Sequence, residues 1–308
     1  MFQTSQPKEV SNNHLWHMVT SEEGEELSHF RFWRFNLLSL GQALLLGFVW
    51  WFALGAISPE VRIVNFRFDW IWLIMAFISY FLIGGPGEAT FHIELLHSRR
   101  SWIPFSKQMY VGHDHNHHGA TRVSLVGNKL NADNYEISRW EQFLSSTFPF
   151  MSIFLIALLA SVASALVLQP FFPKVALVTP VAAAALLAAV LYENFHAAHH
   201  MSHDMWRKWC WLPNPLGWMA KRARMHHMLH HVYKFCNLNV VGVGGWKVGD
   251  HLRDTYKYHE GLLQAWLNND PNIDSEEIMA YLKERPRPLS VRISEALFGK
   301  KKSKSKQE

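Results

Sequence analysis

Histidine is the residue type whose placement in this chain could do chemistry. Of nineteen histidines, fourteen fall in four clusters. These are His92 with His97, the run His113-Asp114-His115-Asn116-His117-His118, the group His196-Ala197-Ala198-His199-His200 with His203 just beyond, and His226-His227-Met228-Leu229-His230-His231. Residues three and four apart share one face of a helix. That places His196, His199 and His200 on one side, and likewise His227, His230 and His231. His113 and His117 are four apart, with His118 next. The pair His92 and His97, five apart, fits an α-helical face less well and points to a bent segment or a helix end. Neutral imidazole is the commonest transition-metal ligand and suits iron, zinc, copper and nickel. A lone histidine would be read as a hydrogen-bonded core residue, and one contiguous polar tract as a solvated metal sponge. These clusters are instead well separated and set in apolar sequence. Eleven spaced histidines exceed what one ion binds, so two ions sharing a site is the simpler expectation.

Something must carry the clusters to one place. At 308 residues the chain is long enough for two soluble domains, but its uncharged stretches point elsewhere. No charged residue lies between Arg34 and Glu60, between Asp69 and Glu88, from Gln142 to Pro173, or from Val175 to Tyr192. Each is long enough, at roughly 18 to 20 residues, to cross a hydrocarbon core. Four spans are expected near 36–57, 69–86, 147–168 and 174–195, and mean hydropathy is near zero only because the rest is polar. The first span follows a polar N-terminus and does not read as a cleavable signal. With four spans, both termini and the middle loop 87–146 share one side. That side carries all 30 basic residues except Arg62, Arg67 and Lys174, so it is expected to be cytoplasmic. All four histidine clusters then emerge on that side, an agreement the charge argument did not use.

The remaining stretches are less informative. Residues 1–30 form a polar leader with the acidic run Glu22, Glu23, Glu25 and Glu26, passing into a membrane-surface helix near Phe30 to Phe35; His14, His17 and His29 have no partner spacing. Trp50, Trp51, Trp70 and Trp72 sit near span ends and fit an aromatic belt. The link Gln169-Pro170-Phe171-Phe172-Pro173 makes spans three and four antiparallel neighbours, and the alanines of span four allow close packing. Trp206 to Trp218 is too broken to span and reads as a headgroup-zone segment, either bordering a lipid entrance or anchoring the cytosolic part. Gly242 to Gly245 reads as a turn, residues 275–284 as an amphipathic helix capped by Asp274 or Ser275, and the lysine-rich tail from Lys300 as a strand of charge against anionic headgroups, with no nucleic-acid partner. Cys210 and Cys236 predict no disulfide and no metal motif.

A histidine-dominated two-metal site beside a bilayer limits the chemistry. Iron can activate dioxygen and break an unactivated C–H bond, whereas zinc has no redox chemistry. Hydrolytic zinc sites of the H-E-x-x-H kind have no counterpart here. Acyl chains offer C–H bonds and little else, so oxidative attack on a lipid is the leading expectation.

The spacings H-x4-H, H-x3-H-H, H-x2-H-H and H-x2-H-H, set after paired spans, resemble the fatty acid hydroxylase/sterol desaturase superfamily of membrane di-iron oxygenases. Met109-Tyr110-Val111-Gly112-His113 to His118 is similar to its second box, and His226 to Asn239 to its last, followed by an Asn-containing turn. The resemblance covers about 70 to 255. It implies an all-α membrane protein, four transmembrane helices under a cytosolic helical cap, with His92, His97, His113, His117, His118, His196, His199, His200, His227, His230 and His231 as ligands of two iron ions. Zinc is expected to displace iron in overexpressed protein. The first box has four intervening residues where many members have three, as acyl desaturases also do, and His115, His203 and His226 are additional. Glu193, one turn before His196, reads as a partner orienting an imidazole or as a helix-end carboxylate, with Asp114 and Asp204 as further candidates. Three regions follow: the leader 1–30, a membrane di-metal oxygenase domain 31–260, and a cytosolic helix and basic tail 261–308.

The expected reaction removes a hydrogen from a positioned acyl or sterol carbon and returns hydroxyl, with dioxygen as cosubstrate. No haem, flavin or ferredoxin module fits in the remaining sequence, so a separate haem or ferredoxin-type carrier with its reductase must supply electrons. The rivals are a desaturase with the same site, and a zinc transport or storage protein. Transport would favour ionisable groups inside the spans, and the spans as drawn have essentially none.

Overall fold

The computed structural model describes residues 32–102, 106–127, 129–132, 134–137, 142, 146, 150–241, 247–268 and 273–284. The readings made of residues 1–30, the glycine-rich stretch and the basic tail fall outside these residues; the surface helix expected near Phe30 to Phe35 is, from Phe32 on, the start of a long apolar helix, with Phe35 buried in the core.

The described chain is predominantly helical. Three helices are long and apolar enough to cross a membrane: α1 (Phe32–Ile57), α3 (Trp70–Leu96) and α6 (Val178–His199). Between α1 and α3 lies the short α2 (Pro59–Asn65). The segment 106–120 forms α4, and α5 (Phe150–Val167) falls in the third expected span. At 18 residues, α5 rises about 27 Å at about 1.5 Å per residue, a little short of a hydrocarbon core of about 30 Å. The remaining helices are α7 (His203–Cys210), α8 (Leu216–Val232), α9 (Val248–Arg253), α10 (Glu260–Leu267) and α11 (Ser275–Lys283). One departure from an all-helical chain is a small hairpin. Strand β1 (Ser124–Val126) pairs antiparallel with β2 (Lys129–Asn131), Ser124 opposite Asn131. Gly127 turns the chain at φ +56°, a conformation that costs glycine no Cβ clash.

The long helices turn apolar side chains both ways. Leu44, Phe48 and Phe52 of α1 and Leu73 and Phe77 of α3 face outward, the pattern of a lipid-facing surface. Phe35, Leu46, Trp50 and Leu54 of α1 pack inward on Ile153 and Ala157 of α5 and on Val178, Ala182 and Ala185 of α6. Trp50 is therefore a core residue, not part of a belt, and its indole donates to Ser161 Oγ at 2.9 Å. Trp51 and Trp70 stay exposed. The start of α6 has no side-chain cap of its own. Asn65 at the end of α2 supplies one, its Oδ1 accepting the Leu177, Val178 and Thr179 amides at 3.2, 2.9 and 3.3 Å. A remote side chain thus satisfies helix donors that local capping usually serves.

The second span was expected to end at 86, but α3 continues to Leu96. Pro86 lacks an N–H and sits among Gly84, Gly85 and Gly87. There the helix widens into a π turn over Ile83–Gly87, and again over His92–Leu96. Helix α4 does the same over Val111–His117. A π turn closes a bond to the fifth residue: the His97 amide donates to His92 O at 3.1 Å, and the His118 amide to His113 O. Residues five apart therefore share a face, and this is how the His92–His97 spacing is resolved.

A second core joins α7, α8, α10 and α11 through Trp206, Met225, Met228, Leu229, Leu262, Leu263, Trp266 and Leu282. Helix α11 is capped by Asp274, whose Oδ1 accepts the Glu277 amide at 2.9 Å. Helix α9 approaches α3 so closely that a Cβ at Gly249 would collide with the Asn239 side chain, the Gly85 carbonyl and Ala89. Both cysteines are free and buried.

Candidate metal centre

The four clusters converge. Two groups of imidazoles present ring nitrogens within 4.8 Å of one another. One comprises His117 of α4, His196 of α6, His200 just after it, and His227 and His231 of α8. The other comprises His92 and His97 of α3, His113 of α4 and His230 of α8. All nine are buried. The groups adjoin, the His113 and His117 rings lying 5.1 Å apart.

Hydrogen bonds at the outer nitrogens fix which way five of the nine rings present their lone pairs. His92 Nδ1 lies 2.7 Å from Leu238 O, His230 Nδ1 2.8 Å from Cys236 O, and His200 Nδ1 2.8 Å from Tyr135 O. A carbonyl only accepts, so these Nδ1 atoms carry the proton and each Nε2 is left with a lone pair. His97 Nδ1 donates likewise to Asp114 Oδ1 at 2.7 Å. Lys234 donates to both Asp114 oxygens at 2.7 and 2.9 Å, which holds that side chain in place. The Ser146 hydroxyl gives its hydrogen to Gln142 O and so accepts from His117 Nδ1 at 2.7 Å.

The inner nitrogens then face each other. His97 Nε2 and His230 Nε2 are 3.1 Å apart with both protons committed outward, so two lone pairs meet. Such a contact is repulsive by itself and becomes favourable when the two share a cation. The other inner pairs are spaced alike: His92–His113 at 3.0 Å, His117–His196 and His200–His227 at 3.1 Å, and His227–His231 at 3.2 Å. Two nitrogens about 2.0–2.1 Å from one ion, at about 90–110° to each other, lie about 2.8–3.4 Å apart. The donor set therefore fits two metal ions, one per group.

Electrostatics agrees. Burial first, and then mutual repulsion among the rings, lowers His113, His117, His227 and His231 well below the usual histidine range. His200 and His230 are lowered in the same way, burial again leading. These six rings are neutral at neutral pH, the form in which an imidazole can bind a metal.

Comparison with family models, curated proteins and solved structures returned no match.

Two histidines expected among the ligands sit outside the groups. His118 lies between them, its Nε2 3.3 Å from His113 Nε2 and its ring stacked 4.3 Å from His231. His199 faces away, stacked on His227 at 4.8 Å and on Trp206 at 5.6 Å. Of the additional candidates, His115 is exposed beside Tyr110, and His203 packs edge-on against Trp266. His226 Nε2 is 2.8 Å from Asn239 O and 3.3 Å from Asp250 Oδ2. Among the candidate carboxylates, Asp114 orients a ligand, Asp204 is exposed on α7, and Glu193 is buried beside Tyr192.

Sequence reasoning missed the loop after α8. Its carbonyls at Cys236, Leu238 and Asn239 receive His230, His92 and His226. Asp250 holds that loop, accepting the Leu238 and Asn239 amides at 2.6 and 2.9 Å and the Thr255 hydroxyl at 2.7 Å. Asn239 in turn donates to Gly85 O at 2.8 Å and to Glu88 at 3.1 Å, tying the loop to the π-turned part of α3.

Proposed function

We propose that this chain is a membrane di-iron oxygenase that uses dioxygen to hydroxylate a C–H bond of a lipid of fatty acyl, sphingolipid or sterol type. The observation that carries this reading is the facing of neutral, buried imidazole lone pairs in two adjoining groups. It supports a binuclear, all-nitrogen metal site at the ends of apolar helices. Bound iron supplies dioxygen activation, which zinc cannot. His117, His196, His200, His227 and His231 would hold one ion, and His92, His97, His113 and His230 the other, with His118 beside both. His92 and His196 lie on helices apolar enough to cross a membrane, so an acyl chain arriving between α3 and α6 meets the site from its membrane side. Tyr192, one turn before His196, adjoins the His92 and His196 rings at 6.2 and 5.4 Å and helps to keep water from that side. In this reading α5 is the fourth span, the other helices form a cytosolic cap, and both termini are cytoplasmic. Dioxygen, a C–H bond, two electrons and two protons become an alcohol and water, the electrons coming from a separate carrier.

The test is mass spectrometry of lipids from cells expressing the protein or His196→Ala, grown under oxygen-18 gas. A lipid gaining one labelled oxygen only with the intact protein is expected. Loss of two hydrogens instead would make it a desaturase on the same site. No change, with iron and an electron carrier supplied, would overturn the oxygenase reading in favour of zinc handling. Against the last stands the geometry of the ionisable groups in α3 and α6. Glu88, His92, Glu193 and His196 cluster at the site end instead of lining a path across.

A further inference from the structure

Aromatic rings in contact lead from one metal group to the protein surface. His227 stacks on His199 with centroids 4.8 Å apart and planes 23° apart. His199 stacks on Trp206 at 5.6 Å and 6°, and Trp206 meets Trp209 edge-on at 5.3 Å. Trp209 is 42% exposed. The inner part of this series is firmly held. The Trp206 indole donates to Ala198 O at 2.8 Å, and the buried Arg224 donates to His199 O while its guanidinium lies 5.7 Å from the Trp206 ring. His199 itself belongs to neither metal group, and its Nδ1 has no hydrogen-bond partner. What this residue contributes is its ring.

The surface where the series ends is basic and aromatic. Arg207 and Lys208 flank Trp209 on α7, and on α8 Lys221 and Arg222 lie over the rings of Trp211 and Trp218. From Asp204 to Asp250 the chain has no acidic residue between them.

We infer that this face receives an acidic one-electron carrier protein and that His227, His199, Trp206 and Trp209 form the path from the carrier to the metal centre. The inference rests on the oxygenase reading, which requires two electrons per turnover. Two carriers are each oxidised by one electron, and the centre is reduced by two in successive transfers. The rings keep their oxidation state; their contact narrows the gaps that tunnelling must cross, since transfer falls off steeply with each break between π systems. Small, electrostatically guided interfaces are usual for such encounters. A lipid surface would also take these tryptophans and cations, but would have no use for ring contact continuing to the metal.

The test uses the full chain, iron-loaded in lipid nanodiscs, mixed anaerobically with a pre-reduced acidic b-type cytochrome domain whose visible band reports its oxidation. Trp209→Ala is expected to slow cytochrome oxidation several-fold, with Trp209→Phe near the intact rate and viologen-radical reduction unchanged in both. Arg207→Glu with Lys208→Glu is expected to weaken cytochrome binding to the metal-free protein about tenfold at low salt and to flatten its salt dependence. Cytochrome kinetics and binding unaffected by all three variants would overturn the inference. So would a loss confined to affinity for anionic lipid, which would make the segment a membrane anchor. If no donor, viologen included, reduces the intact protein, the oxygenase reading fails as well; viologen-driven turnover with variant-insensitive cytochrome kinetics sinks the path alone.

Discussion

Asp250 binds no metal in this account, yet its replacement by asparagine should loosen the metal centre. The carboxylate is completely buried. Burial alone would raise its pKa, but hydrogen bonds from His226, the Asn239 amide and the Thr255 hydroxyl hold it at about 2. Its two oxygens each receive a backbone amide, Leu238 at 2.6 Å and Asn239 at 2.9 Å. An asparagine has one acceptor oxygen, so its amide NH2 must face one of those N–H groups. The lost charge-assisted bond costs about 1.5–3 kcal/mol and the stranded buried donor about 1–3 kcal/mol. Together that is about 2.5–6 kcal/mol, a large part of the roughly 5–15 kcal/mol by which a domain is stable. The Leu238 carbonyl that fixes His92 moves with the loop, and losing such an outer contact typically weakens metal binding by about 10–100-fold. Thermal unfolding of the metal-free protein and competition with a chelator read the two effects. Thr255→Val is the control: it removes one hydrogen bond, about 1 kcal/mol, and leaves both amide contacts in place, so metal affinity should hardly change. If Asp250→Asn melts and binds metal as the unaltered protein does, the reasoning about this loop is wrong.

Other perturbations follow from the same contacts. His231→Ala and His97→Ala each remove a ligand from a different group, so each should lower bound metal from about two ions per chain toward one, read by elemental analysis; loss of both ions in either variant would mean the groups do not bind separately. Acid should destabilise the metal-free protein. The buried rings have lowered pKa values, so the histidines are neutral in both states above the unfolded value of about 6.5; below it only the unfolded chain takes up protons. Stability then falls by about 1.4 kcal/mol per pH unit for each such histidine. A melting temperature that stays flat or rises from pH 7 to pH 5.5 would contradict this. Asn65→Ala strands three amides at the start of α6 and should cost about 2–3 kcal/mol in chemical unfolding, while Asn65→Asp, which keeps the acceptor but sets an oxygen against Val61 O and Gln169 Oε1 where Nδ2 donates, should recover only part of it.

Much of the candidate metal centre was readable because few side chains bind transition metals and their clustering does not depend on the fold. The helical face of His227, His230 and His231 holds as read. Spacing alone could not say which of two adjacent histidines turns inward. At the end of α6, His196 and His200 converge while His199 rotates onto Trp206; at the start of the α8 cluster, His227 converges while His226 turns to a loop carbonyl. The π turns were hidden for a related reason. They appear only when a five-residue closure is drawn, and Pro86 among three glycines is a weak hint of one. The acceptors that fix the imidazoles were least accessible, since any residue can offer its carbonyl and nothing in Cys236, Leu238 or Tyr135 advertises that use. Asp114 was accessible because it lies inside a histidine run. The end of α3 was misjudged because charge marks where apolar sequence stops, and Glu88 lies on a helix that continues past it.

The claim on which the rest depends is that two imidazole groups hold two iron ions. X-ray absorption at the iron edge, on protein reconstituted with ferrous iron and assayed for iron per chain, tests it most directly. The account expects about two irons per chain with a first shell of nitrogen and oxygen donors and strong outer-shell scattering from imidazole. A single iron, or a shell without imidazole scattering, would contradict it.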